Sequence, residues 1–178
     1  MTHVAFGVLA GALALSVAAP ASAQESKSAP LAKQLAAALD AAKLDSIAAS
    51  DPNAADAFAA ALYYPGTQLL VISGKYSVPQ LLTTRLTKKE YRDVYLDLNG
   101  AATGKSFIED PGADGLKAKR ESNQPFDQAE MGGKRTMFDG DWKAQKLSEQ
   151  EYMKAFSDAD DRYAQILTAL LAQLKKTS

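Results

Sequence analysis

The spacing of hydrophobic residues changes along the chain and separates an apolar leader, two helical ends and a β-rich middle. Residues 4–19 contain no charge and are followed by Ala21-Ser22-Ala23, the small-x-small pattern that a signal peptidase recognises. This apolar run is too short to span a bilayer. We therefore interpret residues 1–23 as a signal peptide that is removed on export, so that the mature chain begins at Gln24.

The mature chain is expected to begin with a flexible polar leader over residues 24–29. From Pro30 onward leucines and alanines lie three or four residues apart, which predicts a helix that continues to about Ala49. Ser28 is the expected N-cap, because a serine hydroxyl can accept a hydrogen bond from the first helical turn.

The C-terminal end carries the clearest helix pattern. Ser148 and Glu151 have the spacing of a capping box, and the apolar residues from Tyr152 to Leu174 form one stripe. The pattern predicts one helix of roughly 40 Å. An oligomeric structural module is one alternative, in which the stripe from Tyr163 onward pairs between two chains.

Glycine marks the middle of the chain as a β region, because every glycine of the mature chain lies within residues 66–140. Pro65-Gly66 has the sequence of a type II turn and predicts a hairpin of residues 58–64 and 68–76. A helix over residues 54–64 followed by a strand remains the alternative, since alanine favours helices.

The other segments of the middle region are assigned in the same way. They are a short helix over residues 77–86, a strand over 92–98, its partner strand over 106–109, irregular structure over 117–135 and a short strand over 135–138. Together the elements predict a single α+β domain over residues 30–178. Its mainly antiparallel sheet of about four or five strands is flanked by the N-terminal helix and the long C-terminal helix.

Histidine and cysteine are missing from the mature chain, since the sequence has no cysteine and its one histidine, His3, lies in the leader. Ser-His-Asp and Cys-His sites, zinc sites built on imidazole or thiolate, and histidine-ligated haem are therefore excluded. The formal net charge is −1, whereas a nucleic-acid-binding protein needs a cationic face. We expect a soluble mature chain with no nucleic-acid partner, no metal, no cofactor and no membrane span.

Two patterns resemble ligand sites only in part. Residues 99–106 end in Gly-Lys-Ser, as a phosphate-binding loop does, but they lead into a strand-like segment rather than a helix. Four loop aspartates lack the spacing of a calcium loop. They are Asp110, Asp114, Asp139 and Asp141. A hairpin loop and ordinary turns explain these patterns.

Aromatic rings and cations in the middle region favour a pocket for a planar or anionic ligand more than any catalytic motif does. Core packing is the more common role of such rings, since strands are rich in tyrosine. The candidate ligand-binding residues are Lys75, Tyr76, Arg92, Tyr95, Lys105, Asp139, Asp141 and Trp142. No residue is assigned a catalytic role.

The order of helix, hairpin, short helix and antiparallel strands over residues 55–116 resembles the flavin-binding split barrel of pyridoxamine-phosphate-oxidase-type proteins. The resemblance lies in element order, and the family's phosphate-binding Arg, Lys and Ser positions have no match in this chain. It implies a cofactor-dependent exported enzyme as one alternative function. A pair of carboxylates acting as general acid and base is another, although the sequence marks no two of its 21 acidic residues.

The primary prediction is an exported module, periplasmic or secreted, that binds a small ligand or a protein partner and has no catalytic activity of its own. It depends on the loss of His3 with the leader, because the remaining chain then has no imidazole or thiol for proton transfer or soft-metal binding.

Overall fold

Two helices and six strands make up the part of the chain that the computed structural model describes, which is residues 26–74, 89 and 106–177. In chain order they are α1 (Ser28–Ala42), β1 (Ser46–Ser50), β2 (Phe58–Tyr64), β3 (Gln68–Gly74), β4 (Ser106–Pro111), β5 (Asp127–Met131), β6 (Lys134–Phe138) and α2 (Glu149–Thr177). Among these residues no helix is both long and apolar enough to cross a membrane. The predicted signal peptide and the elements predicted over residues 77–86 and 92–98 lie outside the described residues.

The six strands form one antiparallel sheet in the order β1-β2-β3-β4-β5-β6, so each strand pairs with its neighbour in sequence. The predicted α+β class and the two flanking helices are confirmed. The predicted number of four or five strands is wrong, because the sequence pattern did not reveal β1 and β5.

β1 lies where the N-terminal helix was predicted to continue. α1 ends at Ala42, because Lys43 adopts a left-handed conformation (φ 56°) and its amide bonds back to the last turn. Ile47 and Ala49 then face one side of the sheet and Ala48 faces the other. Alanine favours helices in isolation, but pairing with β2 outweighs that preference here.

β4 confirms the strand predicted at residues 106–109 but not its partner. It pairs with β3 along one edge and with β5 along the other. Its predicted partner, residues 92–98, lies outside the described residues. β5 lies within the segment 117–135 that was predicted to be irregular. The short strand predicted over residues 135–138 is confirmed as part of β6.

The predicted hairpin and C-terminal helix are confirmed. Pro65-Gly66 joins β2 to β3, and Gly66 has the positive φ of 68° that a type II turn requires. At the start of α2 the Glu151 amide donates to the Ser148 hydroxyl at 3.2 Å, and the Ser148 amide donates to the Glu151 carboxylate at 2.8 Å. This reciprocal pair is the predicted capping box.

The start of α1 differs from the prediction, because the helix begins at Ser28 and its cap comes from α2. The carboxylate of Asp160 accepts hydrogen bonds from the amides of Lys27 at 2.7 Å and Ser28 at 3.1 Å. It also accepts one from the Ser26 hydroxyl at 2.8 Å. The hydroxyl of Ser28 accepts a bond from the Leu116 amide instead of capping the helix.

Both helices pack on the same face of the sheet and enclose the main hydrophobic core. The apolar stripe of α2 is buried in this core, including Tyr163, Ile166 and Leu170. The stripe of the alternative intermolecular seam is therefore buried within the chain itself, and the oligomeric alternative stays a prediction. A smaller buried cluster lies on the opposite face, with Phe58 and Ile72 among its members.

Candidate functional site

Five of the eight predicted ligand-binding residues lie outside the described residues. They are Lys75, Tyr76, Arg92, Tyr95 and Lys105. The other three, Asp139, Asp141 and Trp142, lie in the connection between β6 and α2. Ligand contacts by these eight residues stay a prediction.

The connection between β6 and α2 is organised by its own side chains. Asp139 accepts a hydrogen bond from the Asp141 amide at 2.9 Å, and Asp141 accepts one from the Ala144 amide at 3.0 Å. Trp142 lies against Tyr152 with the ring centroids 6.1 Å apart. These contacts are those of a turn and of a ring that covers the core.

A groove of about 280 Å³ lies between β5, β6 and the first half of α2, and we call it the α2 groove. Its described lining residues are Ala129, Met131, Lys134, Thr136 and Phe138 from the strands and Glu151, Lys154, Ala155, Asp158 and Ala159 from the helix. Small-molecule sites usually enclose about 300–1,000 Å³. The α2 groove is therefore slightly smaller than that range, which limits it to a small ligand.

Short side chains leave the α2 groove open. Ala129 on β5 faces α2, and Ala155 and Ala159 lie one turn apart on the helix face above it. The methyl group of an alanine is too small to fill the space between the helix and the sheet at these positions. Phe138 closes the inner side by packing edge to face on Phe156, with the ring centroids 5.4 Å apart.

The charges on the rim of the α2 groove balance each other. Lys154 pairs with Asp158 at 2.6 Å. The Ser148 hydroxyl and amide hold the pKa of Glu151 below its usual value, and the nearby cation Lys134 acts in the same direction. With two cations and two anions on the described rim, the groove does not select a ligand by net charge.

One turn beyond the α2 groove, the helix carries a buried ion pair. The Arg162 guanidinium donates through Nη1 to Asp51 at 2.9 Å and through Nη2 to both Asp51 and Ser73. Burial by itself would raise the pKa of Asp51, but the bonds from Arg162, Ser73 and the Asn53 amide outweigh it and hold that pKa below its usual value. Asp51 thus stays ionised and neutralises Arg162.

A second buried polar cluster lies where α2 crosses the end of β4. Asp110 accepts hydrogen bonds from the Gly115 amide at 2.8 Å and from the Tyr163 hydroxyl at 2.9 Å. Burial raises the pKa of Asp110 to about 6. Burial and the charge of Asp110 raise the pKa of Asp127 to about 8, despite a hydrogen bond from the Lys117 amide at 2.7 Å.

Asp127 also reaches a small polar cavity of about 100 Å³, which Asp114, Lys117 and Arg120 help to line. The Lys117 ammonium lies 2.7 Å from Asp114 and is one of two cations that line the cavity. Within the part of the chain that the structure describes, no group of three or more acidic side chains could hold a metal ion.

No protein-family model, curated protein or solved structure matches the chain. The resemblance to the flavin-binding split barrel stays a prediction, since much of its span over residues 55–116 lies outside the described residues.

Sequence reasoning identified neither the α2 groove nor the two buried clusters. Asp51, Ser73 and Asp110 carry a weak signal, because each is a polar residue at the end of an apolar strand or just beyond it. The groove has no such signal. It is built from alanines and surface charges that are common on any amphipathic helix.

Proposed function

We propose that the protein is an exported binding module without catalytic activity of its own, and that the α2 groove holds a small, mainly apolar organic molecule. The observation that carries the proposal is a concave surface with an apolar floor beneath a rim of charged side chains. Ligand sites of this kind gain affinity from apolar burial, while a few polar groups orient the ligand.

The paired charges on the rim support an uncharged apolar ligand. The Lys154–Asp158 pair satisfies two of the rim charges within the protein, and Glu151 is bound by Ser148 in the capping box. An ionic ligand would have to compete with these contacts. An apolar molecule gains free energy by displacing water from the half-buried side chains of Met131 and Ala155 without breaking these contacts.

Toluene is a suitable first probe, since it is apolar, uncharged and small. We expect a toluene titration followed by amide chemical shifts to show saturable changes at groove residues such as Ala129 and Thr136. Ala155→Phe places a ring in the groove and should weaken toluene binding at least tenfold, because a bulky side chain then occupies the site.

Ala164→Phe is the matched control, since Ala164 lies on the same helix, is half-buried like Ala155 and does not line the groove. It should leave toluene binding intact. Unsaturable shifts in the wild-type protein, or equal affinities for the two phenylalanine variants, would overturn the assignment of the groove.

Export is the part of the proposal that rests on the leader sequence. Protein isolated from its native host should have a mass that corresponds to an N-terminus at Gln24, as expected for cleavage after Ala23. A mass that still includes Met1 and His3 would contradict export by this route.

A second candidate function, a carboxylate-based enzyme, is favoured by one observation. Asp110 and Asp127 are buried together, and the raised pKa of Asp127, about 8, keeps its proton on at neutral pH, as a general acid requires, whereas Asp110, with a pKa of about 6, is mostly ionised there. Asp127 lies at a cavity of only about 100 Å³, which limits access to a polymer. Release of reducing sugars from purified cell-wall polymer by the wild-type protein, and its loss in Asp127→Asn, would establish this function over the first.

A further inference from the structure

A row of four side chains crosses the sheet beneath α2 and links the α2 groove to the buried ion pair. The strand registers place Ser73 opposite Ser106, Ser106 opposite Met131, and Met131 opposite Lys134. Neighbours in such a row point to the same face of the sheet and lie about 4.5–5.5 Å apart. The row therefore leads from the groove, at Met131 and Lys134, to Ser73.

The helix above follows the same direction. Asp158 and Ala159 line the α2 groove, and Arg162, one turn further on, bonds to Ser73 at the other end of the row. Ser106 is the residue between these two points. It lies between the groove residue Met131 on β5 and the Arg162-bound Ser73 on β3.

The Ser106 hydroxyl has no hydrogen-bond partner within the described residues, although Ser106 is only 3% exposed. A buried hydroxyl without a partner is costly, since it has lost its bonds to water and has gained none in return. The neighbouring Ser73 hydroxyl bonds to both Asp51 and Arg162. The orphan at Ser106 is therefore a buried polar group directly opposite Met131, which lines the α2 groove.

We propose that the α2 groove extends to Ser106 and that its ligand carries an uncharged hydroxyl or carbonyl oxygen at one end, which the Ser106 hydroxyl binds. The inference rests on the proposed function of the groove and names the class of ligand. The charge of the head group follows from the ion pair next to it. Asp51 already neutralises Arg162, so a carboxylate or an ammonium group would add an uncompensated buried charge.

Three six-carbon probes with the same tail distinguish the head groups: 1-hexanol, hexanoate and hexylammonium. We expect 1-hexanol to bind the wild-type protein most tightly in amide chemical-shift titrations. Ser106→Ala should lower the ratio of 1-hexanol affinity to toluene affinity about three- to tenfold, as expected for one net hydrogen bond. Ser157→Ala, the same change on α2 at a residue that does not line the groove, should leave that ratio unchanged.

The outcomes separate this inference from the proposed function. If toluene and 1-hexanol both bind and Ser106→Ala does not change their ratio, the Ser106 contact is refuted while the groove remains a binding site. Tighter binding of hexanoate or hexylammonium would also refute it, because the inner end would then accept a charge. If no probe binds the wild-type protein, the groove itself is refuted and the inference fails with it.

Discussion

Ser73 and Ser106 lie opposite each other on β3 and β4, yet only the Ser73 hydroxyl is hydrogen-bonded within the described residues. The Ser73 hydroxyl donates to Asp51 and accepts from Arg162. Within the described residues the Ser106 hydroxyl has neither a donor nor an acceptor. The same residue type on neighbouring strands thus stabilises the fold at one position and weakens it at the other.

The two serines should respond differently to removal of the hydroxyl. Ser73→Ala should lower the free energy of unfolding by about 1–3 kcal/mol, because it removes one hydrogen bond from each of the charged groups of Asp51 and Arg162. Ser106→Ala should leave it unchanged or raise it by up to about 1 kcal/mol, since no bond is lost. Urea denaturation of both variants measures the difference. Equal losses would contradict the unpartnered state of Ser106.

Stability should depend on pH through Asp110 and Asp127. Their pKa values in the folded protein, about 6 and about 8, are raised from 3.8. The folded state therefore binds more protons than the unfolded state between pH 3.8 and about 6 through Asp110, and between pH 3.8 and about 8 through Asp127. The free energy of unfolding should therefore fall as pH rises from about 4 to about 8, by at most about 1.4 kcal/mol per pH unit for each proton. Both groups contribute up to about pH 6, and Asp127 alone above it.

Other groups lie near this carboxylate pair. They are Asp114, Lys117, Tyr152 and Tyr163. Asp127→Asn should flatten the stability curve between pH 6 and pH 8 while keeping an oxygen for the Lys117 amide. Asp139→Asn, at a half-exposed turn, is the control and should follow the wild-type curve. Thermal denaturation across this pH range is the measurement, and a steep fall above pH 6 in Asp127→Asn would contradict the assignment.

The neighbours Asp160 and Asp161 should differ in their contribution to stability. Asp160 is buried and caps α1 through two amides and a hydroxyl, so Asp160→Ala should lower the free energy of unfolding by about 1–3 kcal/mol. Asp161 pairs with Lys27 on the surface, where water screens the attraction, and Asp161→Ala should have little effect. Guanidinium denaturation compares the two, and an Asp161→Ala loss as large as that of Asp160→Ala would rule out the cap.

Gln145 should protect the edge of the sheet at β6. Its side-chain amide accepts from the Met137 amide at 3.0 Å and donates to the Met137 carbonyl at 2.7 Å, as a neighbouring strand would. Gln145→Ala should speed hydrogen exchange of the Met137 amide severalfold and promote association through the exposed edge. The exposed Gln124 is the control residue for the same change. Unchanged exchange at Met137 would show that this contact does not protect the edge.

The sequence-based predictions were confirmed for elements whose formation depends on residues close together in the sequence. The Ser148–Glu151 capping box and the apolar stripe behind it span a few residues each, and α2 forms where they predicted it. The predictions missed strands that form only because a neighbouring strand pairs with them. β1 is rich in alanine and β5 is polar, so neither has a strong preference of its own, and each becomes a strand by pairing.

The sequence by itself determined the α+β class, the hairpin at Pro65-Gly66 and the long C-terminal helix, because turn chemistry, capping and hydrophobic period act locally. Only the tertiary structure decided which polar groups meet. Asp51, Ser73 and Arg162 come from three separate elements, and their contact depends on where α2 crosses the sheet. The unpartnered Ser106 hydroxyl is likewise invisible in the sequence, since a missing bond can be recognised only when every neighbour has been placed.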